Sequence, residues 1–331
     1  MPREYSEDDV RIRPSRTGSR PRSKERPAHS RAVIGLVTAV DRGRYTVQMD
    51  GQAPRVTAMR ARELGRRSLV VGDRVALVGD ISGDPGTLAR AVRLEPRTTT
   101  LRRTPDDSDP VERVVVANAT ILGIVTSAAE PAPREGFIDR CLVAAYDAGL
   151  APLLIVTKSD LASADLLKAG YDALGVQIVA VNKQESLTGI LEIITDQVTV
   201  MIGQSGVGKS TLVNRLVPTA LRDVGHVNDV TGRGRHTSTS AVGLPLPDGG
   251  WVIDTPGIRS FGLAHVDPDR VIAAFGELAD GTTECPRGCE HQPPHCALDA
   301  WVEAGNAGPE GAARLDSVRR VISALREPTV Y

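Results

Sequence analysis

The feature that most constrains this fold is a glycine-rich loop of the GxxxxGK[ST] type at residues 203–210. The loop follows an apolar run at residues 198–202 and precedes a helical pattern that begins at Lys209. Glycines in such a loop let backbone N–H groups converge on phosphate oxygens at a helix N-terminus. The loop therefore predicts a strand, a phosphate site and a helix in that order. The predicted phosphate contacts are Gly203, Gln204, Ser205, Gly206, Val207, Gly208, Lys209, Ser210 and Thr211.

Side chains in and after this loop predict the chemistry of the phosphate site. Lys209 is expected to reach the β- and γ-phosphates, and Ser210 to bind Mg²⁺ through its hydroxyl. Asp254 ends an apolar strand and begins the motif Asp254-Thr255-Pro256-Gly257. Its carboxylate is the expected further partner of Mg²⁺, so the sequence predicts Mg²⁺ bound together with a nucleotide.

A second motif predicts which base is bound. Thr157-Lys158-Ser159-Asp160 follows an apolar strand pattern. The Asp160 carboxylate can accept hydrogen bonds from guanine N1–H and N2–H₂, a pair of donors that adenine lacks, and Lys158 would lie along the base and ribose. Thr157 occupies the place where GTPases usually carry Asn, so one amide contact is lost. Residues 180–183 should complete the base pocket, but they match the common pattern poorly and none is assigned.

The order of the motifs along the chain is unusual. The base motif precedes the phosphate loop, whereas in an ordinary GTPase it comes well after, and the Asp254 motif follows the loop. Strand, loop and helix alternate from Val114 onward, which indicates a parallel sheet covered on both faces with ligand loops at the carboxyl ends of its strands. The order predicts a circularly permuted GTPase with GTP and GDP as ligands.

The group that positions the attacking water is the next prediction. Ras-like enzymes carry a Gln directly after the Asp-x-x-Gly motif, but here that residue is Ile258, which cannot form a hydrogen bond. His236 lies in the expected switch loop and is the candidate catalytic residue. Its alternative is a solvent-exposed loop histidine. A hydroxyl of the switch loop should also contact the γ-phosphate and Mg²⁺. The sequence does not distinguish among Thr237, Ser238 and Thr239 for this role, and Thr239 is assigned to Mg²⁺ here.

A cysteine–histidine cluster near the C-terminus predicts a metal site. Cys285, Cys289, His291 and Cys296 form a closed Cys₃His set suited to one tetrahedral, structural Zn²⁺. His295 is a possible substitute for His291, and unpaired thiols are the alternative interpretation. Cys141 lies on an amphipathic helix pattern and is expected to pack in the core.

The remaining segments predict further domains on either side. Residues 1–31 hold nine Lys/Arg against five acids and almost no apolar residues, which favours a disordered basic arm. Residues 32–97 contain about five short strand patterns, typical of a small barrel of the OB type. Residues 98–264 would form the GTPase and residues 265–331 an α-helical zinc-binding domain. In its last helix, residues 312–326, Arg319, Arg320 and Arg326 are expected largely outside the apolar face.

The chain as a whole strongly resembles the small ribosomal subunit biogenesis GTPases, the RsgA family, over about residues 32–326. The resemblance rests on the permuted motif order, the segment 234–239 with His236, the Asp254 motif with residues 260–262, and the zinc cluster. It implies an OB domain, a permuted GTPase and a zinc domain, with GTP hydrolysis stimulated by the small ribosomal subunit in late 30S maturation.

The same resemblance implies roles for individual residues. Nucleotide contacts would be Thr157, Lys158, Asp160 and residues 203–211; His236 matches the proposed catalytic histidine; and the zinc ligands match the four named above. The chain departs from the family pattern at Thr157, at Ser238, which interrupts a Thr run, and in slightly shorter zinc-ligand spacing. Expected partners are the 30S subunit and its 16S rRNA, and the protein is expected to be a cytoplasmic monomer without a membrane segment.

Two other functions stay open from the sequence. One is a permuted GTPase with another assembly client, such as the large ribosomal subunit. The other is an RNA-binding module whose nucleotide site is vestigial. Five arginines in the barrel region, Arg55, Arg60, Arg62, Arg66 and Arg67, could serve RNA binding or be ordinary surface charges.

Overall fold

A computed structural model describes residues 29–51, 54–65, 68–104, 112–218, 241–255, 263 and 266–325. Residues 32–331 group into one compact unit by their contacts, so the domain boundaries after residues 97 and 264 stay predictions. Within the described residues, no helix is both long enough and apolar enough to cross a bilayer.

A five-stranded barrel comes first. Its strands are β1 (Val33–Asp41), β2 (Arg44–Met49), β3 (Arg55–Arg60), β4 (Arg74–Gly79) and β5 (Ala89–Leu94). β1 pairs with both β2 and β4, and the circle closes through β3 and β5, which are parallel to each other. Apolar side chains alternate inward along the strands and fill the interior, as in Val37, Val47, Val56 and Val75. The predicted barrel is confirmed.

A hairpin that the sequence did not predict joins the barrel to the rest of the chain. It consists of β6 (Thr100–Arg103) and β7 (Arg113–Ala117). Gly72 of the barrel approaches it so closely that an added Cβ would lie 2.0 Å from the Ala117 carbonyl oxygen, and Gly72 has φ +89°. Only glycine is compatible with that backbone and that contact.

The predicted α/β region contains a six-stranded sheet. Its strands are β8 (Ile121–Ser127), β9 (Ala151–Thr157), β10 (Gln177–Ala180), β11 (Val198–Gly203), β12 (Val242–Pro245) and β13 (Trp251–Asp254). The spatial order is β10-β9-β8-β11-β13-β12; all neighbours are parallel except β12 and β13. β12 also pairs with β1 at Ala39 and Val242, which joins the sheet to the barrel. Because β9 precedes β11 in the chain, the base motif precedes the phosphate loop, as a permuted GTPase requires.

Helices cover both faces of this sheet. The helices are α1 (Glu135–Ala148), α2 (Asp165–Tyr171), α3 (Thr188–Ile194), α4 (Lys209–Leu216), α5 (Pro268–Ile272), α6 (Gly276–Ala279), α7 (Leu298–Glu303) and α8 (Gly311–Ser323). One face packs against α1, α2 and the C-terminal helices, and Cys141 is fully buried there as predicted. The other face packs against α3 and α4.

The C-terminal helix corrects one expectation from the sequence. Its apolar face is confirmed, with Leu315 and Val318 buried, but Arg319 is also buried, at 9% exposure. Its guanidinium donates to the His291 carbonyl at 2.8 Å and to both carboxylate oxygens of Asp299. A helical wheel places charged residues on the solvent-exposed face because it contains no information about acceptors on other elements. Here the acceptors come from a loop and from α7.

Candidate functional site

The phosphate loop joins β11 to α4 as the sequence predicted. Gly206 has φ +83° and Gly208 φ +91°, both in the left-handed region that favours glycine. A Cβ on Gly203 would lie 2.6 Å from the Val125 carbonyl oxygen of β8. Lys209 begins α4, and the exposed Ser210 is in its first turn. The loop therefore has the backbone shape and the helix N-terminus that bind phosphate.

The predicted base motif lies directly against this loop. The Thr157 hydroxyl is 3.1 Å from the Thr126 carbonyl oxygen and also contacts the Val207 carbonyl. The Lys158 ammonium donates to the Gly206 carbonyl at 3.0 Å and also to the Glu130 carbonyl. Thr157 thus replaces the usual Asn with a hydroxyl that still ties the base motif to the phosphate loop.

A cavity of about 240 Å³ lies between the two motifs. Three lining residues, Val181, Asn182 and Lys183, come from the segment after β10 that the sequence left unassigned. The Ser159 N–H donates to the Val181 carbonyl at 3.3 Å, which holds this segment beside the base motif. Asp160 lies in an exposed turn next to Ser159 and is not among the lining residues. The lining residues are Thr157, Lys158, Val181, Asn182, Lys183, Gly206, Gly208, Thr211, Leu212 and Arg215.

The end of β13 brings the predicted Mg²⁺ carboxylate to the phosphate loop. Asp254 forms an ion pair with the Lys209 ammonium. The next residue, Thr255, is buried, and its hydroxyl donates to the Met201 carbonyl of β11 at 2.7 Å. Because β11 and β13 are parallel neighbours with Met201 opposite Asp254, the sheet itself sets the distance between lysine and carboxylate.

Several predicted site residues lie outside the described residues. These are His236, Thr237, Ser238, Thr239 and Ile258. Their roles stay predictions from the sequence.

The four predicted metal ligands lie close together in space, in the C-terminal part of the chain. The ligand atoms of Cys285, Cys289, His291 and Cys296 all lie within 4.8 Å of one another. The Cys285 sulfur is 3.8 Å from His291 Nδ1 and 3.9 Å from the Cys296 sulfur. A tetrahedral ion with metal–sulfur bonds of about 2.3 Å would separate its sulfur ligands by about 3.8 Å. The donor set and its spacing therefore fit a tetrahedral metal ion, and the group does not include His295, which is exposed.

A carboxylate that the sequence did not identify orients the metal-site histidine. His291 Nε2 lies 2.5 Å from a carboxylate oxygen of Asp269 on α5, which directs Nδ1 toward the cysteines. Such a carboxylate fixes the ring tautomer and raises the basicity of the ligating nitrogen. Asp269 is far from the cluster in sequence, and no local spacing could have predicted the contact.

Burial sets the protonation of one ligand. It raises the pKa of the Cys285 thiol to about 11, with the neighbouring Cys296 and Cys289 adding to the effect. A metal ion binds the thiolate, so binding at this residue must release a proton.

Known proteins resemble this chain in sequence, and solved structures resemble it in fold. A family model described as RsgA GTPase matches residues 94–264. The small ribosomal subunit biogenesis GTPase RsgA of Chromohalobacter salexigens is 39% identical over 266 residues, 78% of this chain and 75% of the relative. The protein of that name from Pseudomonas syringae is 38% identical over 268 residues, with the same coverage of each chain.

Two crystal structures have the same architecture. YjeQ from Thermotoga maritima superimposes with a TM-score of 0.64 at 24% identity, over 89% of this chain and 98% of its own. YloQ, described as a circularly permuted GTPase, has a TM-score of 0.63 at 21% identity, over 92% and 100%. At these identities the structures establish the fold.

Proposed function

Because this chain belongs to the RsgA GTPase family, we propose that it is a GTP hydrolase acting in biogenesis of the small ribosomal subunit. The curated relatives carry the name of small ribosomal subunit biogenesis GTPase. A role in 30S assembly implies that its partners are the 30S subunit and 16S rRNA, and that it acts in the cytoplasm. We further propose that it acts as a monomer.

One observation carries the enzymatic part of the proposal. The phosphate loop, the base motif and Asp254 meet at one edge of the sheet although they occur in permuted order along the chain. A loop that merely resembled a phosphate loop would not require the base motif to lie against it. The contacts of Thr157 and Lys158 with loop carbonyls show that the base motif does lie against the phosphate loop.

The residues of the site divide the work as follows. Backbone N–H groups of residues 203–211 and the Lys209 ammonium hold the phosphates, and Thr157, Lys158, Ser159 and Asp160 hold the base. Ser210, Asp254 and Thr239 are the proposed Mg²⁺ partners, and Mg²⁺ when bound neutralises charge on the β- and γ-phosphates. His236 orients the attacking water.

The metal centre has a separate, structural role in this proposal. Cys285, Cys289, His291 and Cys296 would hold one Zn²⁺, with no open position for a substrate. All four ligands lie in the segment between α6 and α7, so the ion would fix the shape of that segment within a C-terminal helical domain at residues 265–331.

Phosphate release from GTP by the full-length protein, alone and with purified 30S or 50S subunits, tests the proposal. We expect slow basal hydrolysis, stimulation by 30S subunits and little response to 50S subunits. Stimulation by 50S alone would indicate another client. Absence of hydrolysis in every condition would indicate a vestigial nucleotide site.

A further inference from the structure

The loop after β10 has a tightly defined shape. The Asn182 side-chain oxygen accepts from the N–H groups of Gln184 and Glu185 at 2.8 and 2.9 Å. In return, the Glu185 carboxylate accepts from the Asn182 N–H at 2.9 Å. Residues 182–185 therefore form a closed turn, here called the base-side turn.

An arginine on α4, the helix that follows the phosphate loop, binds this turn through two hydrogen bonds. Arg215, in the last turn of α4, donates from one guanidinium nitrogen to the Asn182 carbonyl at 2.8 Å. The other terminal nitrogen donates to the Glu185 carbonyl. The two acceptors are the first and last residues of the base-side turn, so one planar side chain spans it. A lysine ammonium has no such fork and cannot reproduce the geometry.

The turn and the arginine both border the nucleotide cavity. Asn182, Lys183 and Arg215 line it together with Thr157 and Lys158 of the base motif. Lys209, which begins the same helix, pairs with Asp254 at the phosphate end. Helix α4 thus contacts the phosphate end through its first residue and the base end through Arg215.

We propose that Arg215 is a positioning residue for base recognition. Its two hydrogen bonds hold the base-side turn at a fixed distance from the phosphate helix, so that a guanine base fits between the turn and Thr157-Lys158. This inference rests on the proposed GTP site and assigns to it a residue outside all three motifs. Without Arg215 the turn keeps its internal hydrogen bonds but loses both guanidinium hydrogen bonds to α4.

Nucleotide binding by the Arg215→Ala variant of the whole chain separates a role in base recognition from a general role in the integrity of α4. We expect GDP affinity to fall about tenfold, a loss equal in size to about one charge-assisted hydrogen bond. The KM for GTP should rise similarly, with kcat unchanged. Affinity for pyrophosphate, which lacks the base, should not change. Asn214→Ala, on the exposed side of the same helix, is the matched control and should bind both ligands as the wild type does.

Arg215→Lys tests whether charge alone is responsible. It should recover only part of the lost GDP affinity, because one ammonium cannot span both carbonyls. Full recovery would overturn the proposal, as would unchanged GDP affinity in Arg215→Ala, or an equal loss of GDP and pyrophosphate binding, which would indicate damage to α4. A wild-type protein that bound no guanine nucleotide would instead refute the proposed function itself.

Discussion

The Lys209 ammonium and the Asp254 carboxylate form an ion pair that connects the phosphate loop to the end of β13. The two side chains are only 10% and 26% exposed, so each charge lies in a partly dehydrated environment and depends on the other. Phosphate oxygens can replace the carboxylate as partners of Lys209. In the proposed nucleotide complex the Asp254 carboxylate would then face a cation, so that ligand binding would exchange one pair of charges for two.

This exchange predicts different defects for its two members. Lys209→Ala should weaken GTP and GDP binding by at least tenfold, because it removes the side chain that is proposed to reach the phosphates. Asp254→Asn should retain GDP binding but lose most Mg²⁺-dependent hydrolysis. Titration with fluorescent GDP and phosphate release measure the two effects, and Lys168→Ala on the exposed side of α2 is the control. Equal loss of GDP binding in both variants would contradict this division of roles.

Base selectivity should depend on Asp160. Asp160→Ala is expected to weaken GTP and GDP binding greatly, and Asp160→Asn should shift preference toward xanthine nucleotides, whose C2 oxygen needs a donor. Competition between GDP and XDP for the site measures the shift, with the exposed Asp165→Asn as control. Normal GDP binding by Asp160→Ala would remove Asp160 from the base site.

The carboxylate behind the metal ligand should control how tightly zinc is held. Asp269→Asn should lower zinc affinity about 10- to 100-fold, because His291 loses the partner that orients its ring. Cys285→Ser should lose the metal and loosen the C-terminal helices while isolated GTP turnover changes less. Zinc transfer to a chromogenic chelator measures affinity, and Glu303→Gln on α7 serves as control. Freshly purified, reduced protein without zinc would refute the zinc assignment.

Arg319 should contribute to stability, since two parts of the metal region accept its hydrogen bonds. Arg319→Ala leaves the His291 carbonyl and Asp299 without their donor, and we expect a loss of about 1–3 kcal/mol in the free energy of unfolding. Urea unfolding at fixed zinc concentration measures it, and the exposed Asp316→Ala should change little. A loss below about 0.5 kcal/mol would show that solvent replaces these bonds.

The Arg319 pairing also has a defined pH dependence. Its hydrogen bonds lower the pKa of Asp299 below the usual range, so the pairing stabilises the fold above the ordinary aspartate pKa of about 3.9 and is lost as pH falls through the lowered value. The difference between wild type and Arg319→Ala should therefore be constant between about pH 8 and 5. A difference that disappeared within this window would require another titrating group.

Hydrolysis on the ribosome should depend on His236. Because Ile258 cannot orient water, His236→Ala should keep nucleotide affinity and 30S binding with a GTP analogue but lose about tenfold or more of the 30S-stimulated turnover. Co-sedimentation and phosphate release separate the two steps. Stimulated turnover at the wild-type rate would assign water positioning to another group.

Sequence alone identified whatever depends on a short stretch of chain. The phosphate loop, Thr157–Asp160 and the Cys₃His spacing are local patterns, because a loop of this shape needs glycines at fixed positions and a metal needs ligands within reach of one another. Strand alternation likewise predicted the barrel. These features led to the permuted GTPase before any contact between distant residues was known.

Tertiary structure alone decided the partners of these motifs. Arg215 and Asn182, Asp269 and His291, and Arg319 and Asp299 are 20 to 33 residues apart, and none of the pairs has a spacing that would predict it. Their contacts depend on which helix packs beside which loop, and that is set by the burial of whole apolar faces. Local backbone preferences therefore specified the proposed ligand sites, whereas packing specified the side chains that hold those sites in shape.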